Sequence, residues 1–232
     1  MAFLELRYYW MRNSRSNQIE RTNTFLAEAL VPGLRRAGGG PTGVFAPVIG
    51  PGSPYALVVT SYPSLAAMQT VLENLAADPV YKQAYDAWNA IPDLSYIRME
   101  STLLRCFSGF PAIETGAPRT NPRLFELRTY ESDNEATLRK KISMFEDGEI
   151  AVFRTCGLQP VFFSEAIVGS KLPQLTYMLA YEDMADRERA WNTFRTHPDW
   201  IALRDQPGLS DPDIVSNISS SLVRPGAGSE IR

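Results

Sequence analysis

Leu4-Glu5-Leu6-Arg7-Tyr8-Tyr9 returns 121 residues later as Phe125-Glu126-Leu127-Arg128-Thr129-Tyr130. The agreement continues at an offset of 119: Gly50 with Gly169, Tyr62 with Tyr181, and Asp78-Pro79-Val80-Tyr81 with His197-Pro198-Asp199-Trp200. At the same offset Ser101-Thr102-Leu103-Leu104-Arg105 matches Ser220-Ser221-Leu222-Val223-Arg224. Colinear anchors spread over a hundred residues mark a tandem duplication. The units are residues 1–107 and 124–225, followed by a tail, 226–232. Between them the segment 108–123, SGFPAIETGAPRTNPR, has the proline, glycine and small polar residues of a linker.

Each unit switches periodicity in the same order. Phe125, Leu127 and Thr129 alternate with Glu126, Arg128 and Tyr130, a period of two that predicts a strand. Ser132-x-x-Glu135 reads as a capping box opening a helix whose apolar face carries Leu138, Ile142, Phe145 and Val152, and Cys156-Gly157 closes it. Strands over Leu158–Val168 and Gln174–Tyr181 follow, joined by Gly169-Ser170-Lys171-Leu172-Pro173 as a hairpin turn. A second helix carries Met184, Trp191 and Phe194 and breaks at His197-Pro198, because the residue before a proline is pushed out of the helical region. Ile214–Val223 reads as the last strand.

The first unit repeats the plan. Strands are predicted over Phe3–Met11, Val44–Ile49, Tyr55–Tyr62 and Tyr96–Phe107. One helix carries Ile19, Phe25, Ala29 and Leu30, and a second carries the stripe Leu65, Met68, Leu72 and Leu75. The order βαββαβ is ferredoxin-like and places both helices on one face of a four-stranded antiparallel sheet. The fold class is therefore α+β: two tandem ferredoxin-like units packed sheet to sheet as an intramolecular α+β barrel, which buries the second face of both sheets at once.

The 232 residues are 44% hydrophobic, enough for a true core, and 23 basic against 26 acidic side chains leave a net charge of −3. That balance argues against nucleic acid and against polybasic membrane docking. The same strand order underlies RNA-binding modules, but in a barrel the base-stacking face is covered by the other unit. Two cysteines and a single histidine cannot complete a three- or four-ligand zinc site, so no metal is expected. Glu5 and Arg7 interrupt the N-terminal apolar run, no stretch reaches the length of a membrane span, and a cytoplasmic location is expected. Gly38-Gly39-Gly40-Pro41-Thr42-Gly43 lacks the phosphate-loop pattern and precedes a strand, so it reads as a flexible connection.

The ELRTY opening at Glu126–Tyr130, the segment AYEDMADRERAW at Ala180–Trp191, the HPDW break and the closing strand RMESTLLRCF at Arg98–Phe107 together resemble the NIPSNAP family. The likeness runs through nearly the whole of both units. It departs from the pattern at Tyr8-Tyr9-Trp10, at Tyr81 where the second copy has tryptophan, and at the Gly38-Gly39-Gly40 insertion. The resemblance implies a dimeric α+β barrel made within one chain, with no cofactor, whose superfamily relatives hold hydrophobic substrates between the sheet and its helices. It also implies three functional classes: a barrel that binds a small hydrophobic or aromatic molecule, a cofactor-independent monooxygenase or isomerase, or a non-catalytic scaffold that associates with a partner or as a homo-oligomer.

Glu5, Arg7 and Tyr9 share one face of the first strand, as do Glu126, Arg128 and Tyr130. As a binding cluster, Arg7 or Arg128 would hold a carboxylate or enolate, and Tyr9 or Tyr130 would donate a proton. As a structural device, favoured by its recurrence, each charge pair would fix the register of assembly. Trp88, Trp191, Trp200, Tyr81, Tyr85 and Tyr177 are expected either in the core or as walls of an apolar pocket. The ligand-binding set is accordingly Arg7, Tyr9, Arg128, Tyr130, Tyr177, Trp191 and Trp200, and the catalytic candidates are Arg128, Tyr130 and His197. His197 is the one imidazole, yet it occupies the position of Asp78 before a proline, where a helix N-cap is the favoured role over a general acid or haem ligand. Met68, Met99 and Met144 read as core filler.

Overall fold

The computed structural model describes residues 1–117 and 121–232; linker residues 118–120 lie outside the described set. Strands β1 (Phe3–Trp10), β2 (Thr42–Ile49), β3 (Tyr55–Tyr62) and β4 (Arg98–Cys106) belong to the first unit, and β5 (Leu124–Glu131), β6 (Gln159–Val168), β7 (Gln174–Tyr181) and β8 (Asn217–Pro225) to the second. Helices α1 (Gln18–Phe25) and α2 (Val31–Arg36) are joined by a π-helical turn at Leu26–Leu30, and α5 (Glu135–Met144) and α6 (Ile150–Thr155) by the matching turn at Phe145–Glu149. The later helices of the first unit are α3 (Leu65–Ala77) and α4 (Pro79–Asn89), and those of the second are α7 (Met184–Thr196), α8 (Pro198–Arg204) and α9 (Asp211–Ile214).

All eight strands close into one antiparallel barrel in the order β1-β3-β2-β8-β5-β7-β6-β4. Within each unit this is the ferredoxin-like order, fourth-first-third-second. The units meet edge to edge. Phe45 pairs with Pro225 where β2 meets β8, and Arg105 with Glu165 where β4 meets β6, so each unit's free edges are covered by the other's. An ion pair between the side chains of Arg105 and Glu165 lies over the second seam.

The alternation in β1 and β5 sorts side chains to the two faces. Leu4, Leu6, Phe125 and Leu127 enter the lumen and pack with Phe45, Leu57, Val161, Met178 and Val223. Tyr9 packs outward beneath the helices of the first unit, with Phe25, Leu30, Val71 and Trp88. Tyr130 does the same in the second unit, with Phe145, Phe153, Phe163, Trp191 and Trp200. The protein thus has three cores, one inside the barrel and one under each helical layer.

Several local expectations are corrected. The first helix of the second unit starts later than Ser132: Asn134 is the N-cap, accepting from the backbone N–H groups of Ala136 and Thr137, while Thr137 closes the capping box. Ser132 instead donates to the carbonyl of Ile214 across the unit. Ile214 belongs to α9, and the last strand begins at Asn217. On α3 the buried residues are Val71 and Leu75 while Leu65 is exposed, since the helix lies rotated from the expected stripe. Met99 and Met184 are exposed as well. Glycines 38 to 40 form a tight connection: Gly38 has φ +94°, Gly39 N–H bonds the Leu34 carbonyl at 2.8 Å, and a Cβ on Gly40 would lie 2.7 Å from the Ser61 carbonyl oxygen.

The C-terminal residues also pack. Ser229 and Ile231 are buried, the N–H of Glu230 bonds the Thr42 carbonyl at 2.9 Å, and Glu230 pairs with Arg35.

Candidate functional site

The repeated strand β1/β5 builds the same polar motif beneath each helical layer. In the first unit Arg7 donates through Nε and Nη2 to Glu5 Oε1 at 3.1 and 2.8 Å, and through Nη1 to the Tyr9 hydroxyl at 3.5 Å. Glu5 also accepts from the Ser101 hydroxyl at 2.6 Å and from the Tyr62 hydroxyl at 3.5 Å. In the second unit Ser220 and Tyr181 occupy the corresponding places, 2.7 and 3.1 Å from Glu126. The anchors that reveal the duplication in the sequence are thus the hydrogen-bond donors to one carboxylate. Neither Arg–Glu pair crosses a seam between the units.

The copies diverge in how far that carboxylate is enclosed. Glu126 is completely buried and accepts from Arg128, Arg187 twice, Ser220, Tyr181 and the indole of Trp191 at 3.1 Å. Burial works to raise its pKa, but the hydrogen bonds from Arg187 and the charge of Arg128 win and hold it at about 2. Arg128 is fully engaged: it donates to Tyr177 at 2.8 Å and Tyr130 at 3.2 Å, lies 4.8 Å from the Trp191 ring centre, and stays cationic because Tyr177, Tyr130 and Glu126 outweigh the burial that opposes its charge. Tyr177 in turn donates to Tyr130 at 3.1 Å, and burial keeps its hydroxyl protonated.

Beside this network lies an ion pair that sequence reasoning missed. Lys141 is buried with its ammonium 3.3 Å from Glu149 and 3.5 Å from Asp211, over the rings of Tyr130, Phe145 and Trp200. Burial opposes its charge, but Glu149 more than compensates and the ammonium is retained. Glu149 sits in the π-helical turn, a local irregularity that no periodicity announces.

At the offset of 119, Arg187 and Trp191 correspond to Met68 and Leu72, so Glu5 has one arginine and no indole. The first unit also has the longer α4, with Tyr81, Tyr85 and Trp88 on it. A cavity of about 450 Å³ opens there, lined by Arg7 and Tyr9 from β1, by those three aromatics, by Tyr96, and by Met99 from β4. Trp88 stacks on Phe25 at 4.1 Å, and Tyr9 and Tyr96 meet edge to face at 5.5 Å, so ring packing holds two of the walls. The Trp88 indole N–H is buried with no acceptor among the described residues. Lys82 and Asp86 form an exposed ion pair on the cavity lining.

The electrostatics of this cavity favour donors. Burial opposes the Arg7 charge, but Tyr9 and Glu5 restore it, so the guanidinium persists with N–H groups left over beyond those bonded to Glu5 and Tyr9. Burial pushes the Tyr81 hydroxyl up to about 12 and raises that of Tyr9 as well, leaving both as O–H groups at neutral pH. A second cavity, of about 570 Å³, opens at the mouth of the barrel.

The predicted site residues therefore fall into separate groups. Arg7 and Tyr9 meet Tyr81, Tyr85 and Trp88 at the first unit's cavity, whereas Arg128, Tyr130, Tyr177 and Trp191 interlock in the packed second unit, with Trp200 against Lys141. His197 stands apart at the junction of α7 and α8, where Nδ1 accepts from the Asp199 N–H at 3.3 Å, the cap role that Asp78 plays with two N–H groups in the first unit. Tyr96, Lys82 and Met99 were not singled out for the cavity. Met99 was legible in principle, since it pairs with Tyr9 across β1 and β4.

The closed eight-stranded barrel of two βαββαβ units, each with an Arg–Glu–Tyr motif between sheet and helices, is that of a dimeric α+β barrel protein made in one chain. The NIPSNAP family profile matches it twice, over residues 4–108 and 125–229. The chain belongs to the NIPSNAP family. No curated protein matches it in sequence. Among solved structures, a protein from Lactobacillus acidophilus NCFM provisionally assigned as a monooxygenase is similar, with a TM-score of 0.58 at 10% identity over 98% of this chain and 97% of that one. A protein from Fusobacterium nucleatum with the same provisional assignment has a TM-score of 0.56 at 7% identity, covering 97% of this chain and 92% of that chain. A NIPSNAP family protein of unknown function from Agrobacterium tumefaciens covers 49% of this chain and 97% of its own, at 17% identity and a TM-score of 0.44.

Proposed function

We propose that the first unit binds a small planar aromatic molecule bearing an anionic group, in the cavity between β1 and α4. One observation carries this reading: a cavity of about 450 Å³, within the usual range for small-molecule sites, lined together by Arg7 and by the aromatic side chains of Tyr81, Tyr85 and Trp88. A carboxylate or phenolate would take the remaining N–H groups of Arg7 and the Tyr9 hydroxyl, while the ring lies among Tyr81, Tyr85 and Trp88.

The test uses 1-naphthoate as the probe, titrated into the whole chain and followed by tryptophan fluorescence and calorimetry. Saturable binding is expected, weakened about tenfold or more by Arg7→Met, in keeping with the strength of a charge-assisted contact. Ala76→Trp, on an exposed position lining the same cavity, obstructs it without touching Glu5 and is expected to weaken binding too. Absence of binding, or affinity unchanged in both variants, overturns the reading.

Turnover by a cofactor-independent monooxygenase is the second reading, supported by the assignments of two structural neighbours and by the cation at the cavity. Arg7 would then stabilise a ligand anion as it forms, and Asp86 is the carboxylate on the same lining. Oxygen uptake in the presence of the aromatic ligand, lost in Arg7→Met, is the expected outcome; binding without uptake leaves the protein a binder.

A further inference from the structure

The barrel lumen is filled at one end only. Phe45, Cys106, Phe125, Val161 and the C-terminal Ile231 pack one half solid, whereas the other half holds the cavity of about 570 Å³. Its lining follows from strand register. Leu6 and Leu127 form an apolar floor, Tyr8 and Tyr55 stand edge to face at 5.3 Å on the first unit's side, and the second unit contributes hydroxyls: Thr129 faces Ser219 across β5 and β8, and Leu127 faces Ser221. Rings concentrate on the first unit's wall, and hydroxyls lie on both.

Most of the polar groups are hydroxyls. The hydroxyls of Tyr8, Thr102 and Ser219 line the cavity without a hydrogen-bond partner among the described residues, while Thr129 and Thr176 bond each other at 3.0 Å and Thr176 also reaches Gln174 Oε1 at 3.5 Å. The charges on the lining are already matched: Glu100 receives Arg98 at 2.7 Å and Lys171 lies 3.7 Å from Glu131. With one acid and one base on it, the lining offers a charged ligand no net attraction. A purely apolar ligand leaves the hydroxyls stripped of water and unpaired.

We infer that the barrel mouth is a second binding site, for a neutral polyhydroxylated ring compound of the size of a mono- or disaccharide. Such a molecule has a C–H face for Leu6, Leu127 and the tyrosine rings and hydroxyls that both donate and accept, as serine and threonine side chains do. The site is separate from the cavity beside Arg7 and does not rest on the reading given to that cavity.

The experiment titrates maltose and methyl α-D-glucopyranoside into the whole chain by saturation-transfer NMR and calorimetry, with glucuronate as the charged control and cyclohexanol as the apolar one. Saturable millimolar binding of the neutral sugars is expected, at the low end of affinity for small ligands. Ser219→Leu, which places a branched side chain in the mouth, is expected to weaken it about tenfold or more, and Tyr8→Phe, which removes one hydroxyl, several-fold; Ala76→Trp in the other cavity leaves it unchanged. If Ser219→Leu does not fold, the near-isosteric Tyr8→Phe decides. No binding of either neutral sugar, equal binding in the folded mouth variants, or binding of glucuronate or cyclohexanol as strong as that of the sugars overturns the inference.

Discussion

The two halves hold the same motif and use it differently. In the second unit one buried carboxylate organises two arginines, a tryptophan, a tyrosine and a serine, and the helical layer closes over them. In the first, the equivalent carboxylate has one arginine, and that arginine lines a cavity. A single motif is therefore compatible with a packed hub and with an open site. Two replacements, Met68 for Arg187 and Leu72 for Trp191, together with α9 standing over the second unit, separate the outcomes.

The largest expected effect breaks the hub. Glu126→Gln removes the one fully buried charge of the network and leaves the half-buried Arg128 and Arg187 without their counter-charge, so it should destabilise the chain by about 3 kcal/mol in denaturant unfolding. Glu5→Gln strands one arginine only and should cost clearly less. Equal losses would show that the second copy is no more of a hub than the first.

A pH titration sharpens the same contrast. The folded pKa of Glu126, about 2, lies below its ordinary 4.5, so its contribution is fully present above that ordinary value and is lost as pH falls toward 2. Stability to urea should drop by about 2–3 kcal/mol over that interval, and the drop should flatten in Glu126→Gln. A profile identical in both proteins would assign the acid sensitivity elsewhere.

Transplanting the first unit's residue is milder. Arg187→Met removes two charge-assisted bonds of 2.8 Å yet leaves Arg128 on Glu126, so a loss of about 2 kcal/mol is expected. No loss would mean that the second arginine is dispensable to the hub. The smallest difference concerns the caps. Asp78→Ala removes an acceptor for two N–H groups and the partner of Arg36, whereas His197→Ala removes a single bond of 3.3 Å, so the Asp78 variant should show the larger fall in thermal unfolding temperature. A His197 variant that unfolds much earlier would reverse the ranking of the two caps.

Much of this architecture was legible from local pattern. Strand β1/β5 declared itself by alternation, the duplication supplied the topology twice over, and the two proline breaks marked the junctions α3–α4 and α7–α8. Boundaries failed where long-range contacts set them. Ser132 resembles a cap but is drawn to Ile214, so Asn134 takes the role. Strands β3 and β7 are buried at every position, so their sequences carry no inward and outward alternation.

The candidate site was half legible. Arg7 and Tyr9 could be placed on one face with Glu5, and Tyr81, Tyr85 and Trp88 were visible as pocket-forming aromatics. Which half stays open was not visible, because closure depends on residues sixty positions and more from the motif: Arg187 and Trp191 lie 61 and 65 residues from Glu126, and Asp211 lies 70 from Lys141. The mouth of the barrel was invisible for a related reason. Its walls are single alternate positions from strands of both units, and only their closure makes them neighbours.

The seams β2–β8 and β4–β6 bear on how these halves were free to part. When such a barrel is assembled from two identical chains, every substitution appears on both sides of the axis, and a change that opens one site also weakens the scaffold of its twin. With the seams formed inside one polypeptide, that symmetry is released. Each half accumulates its own changes while the other holds the closed sheet together, so one can specialise as framework and the other as receptor.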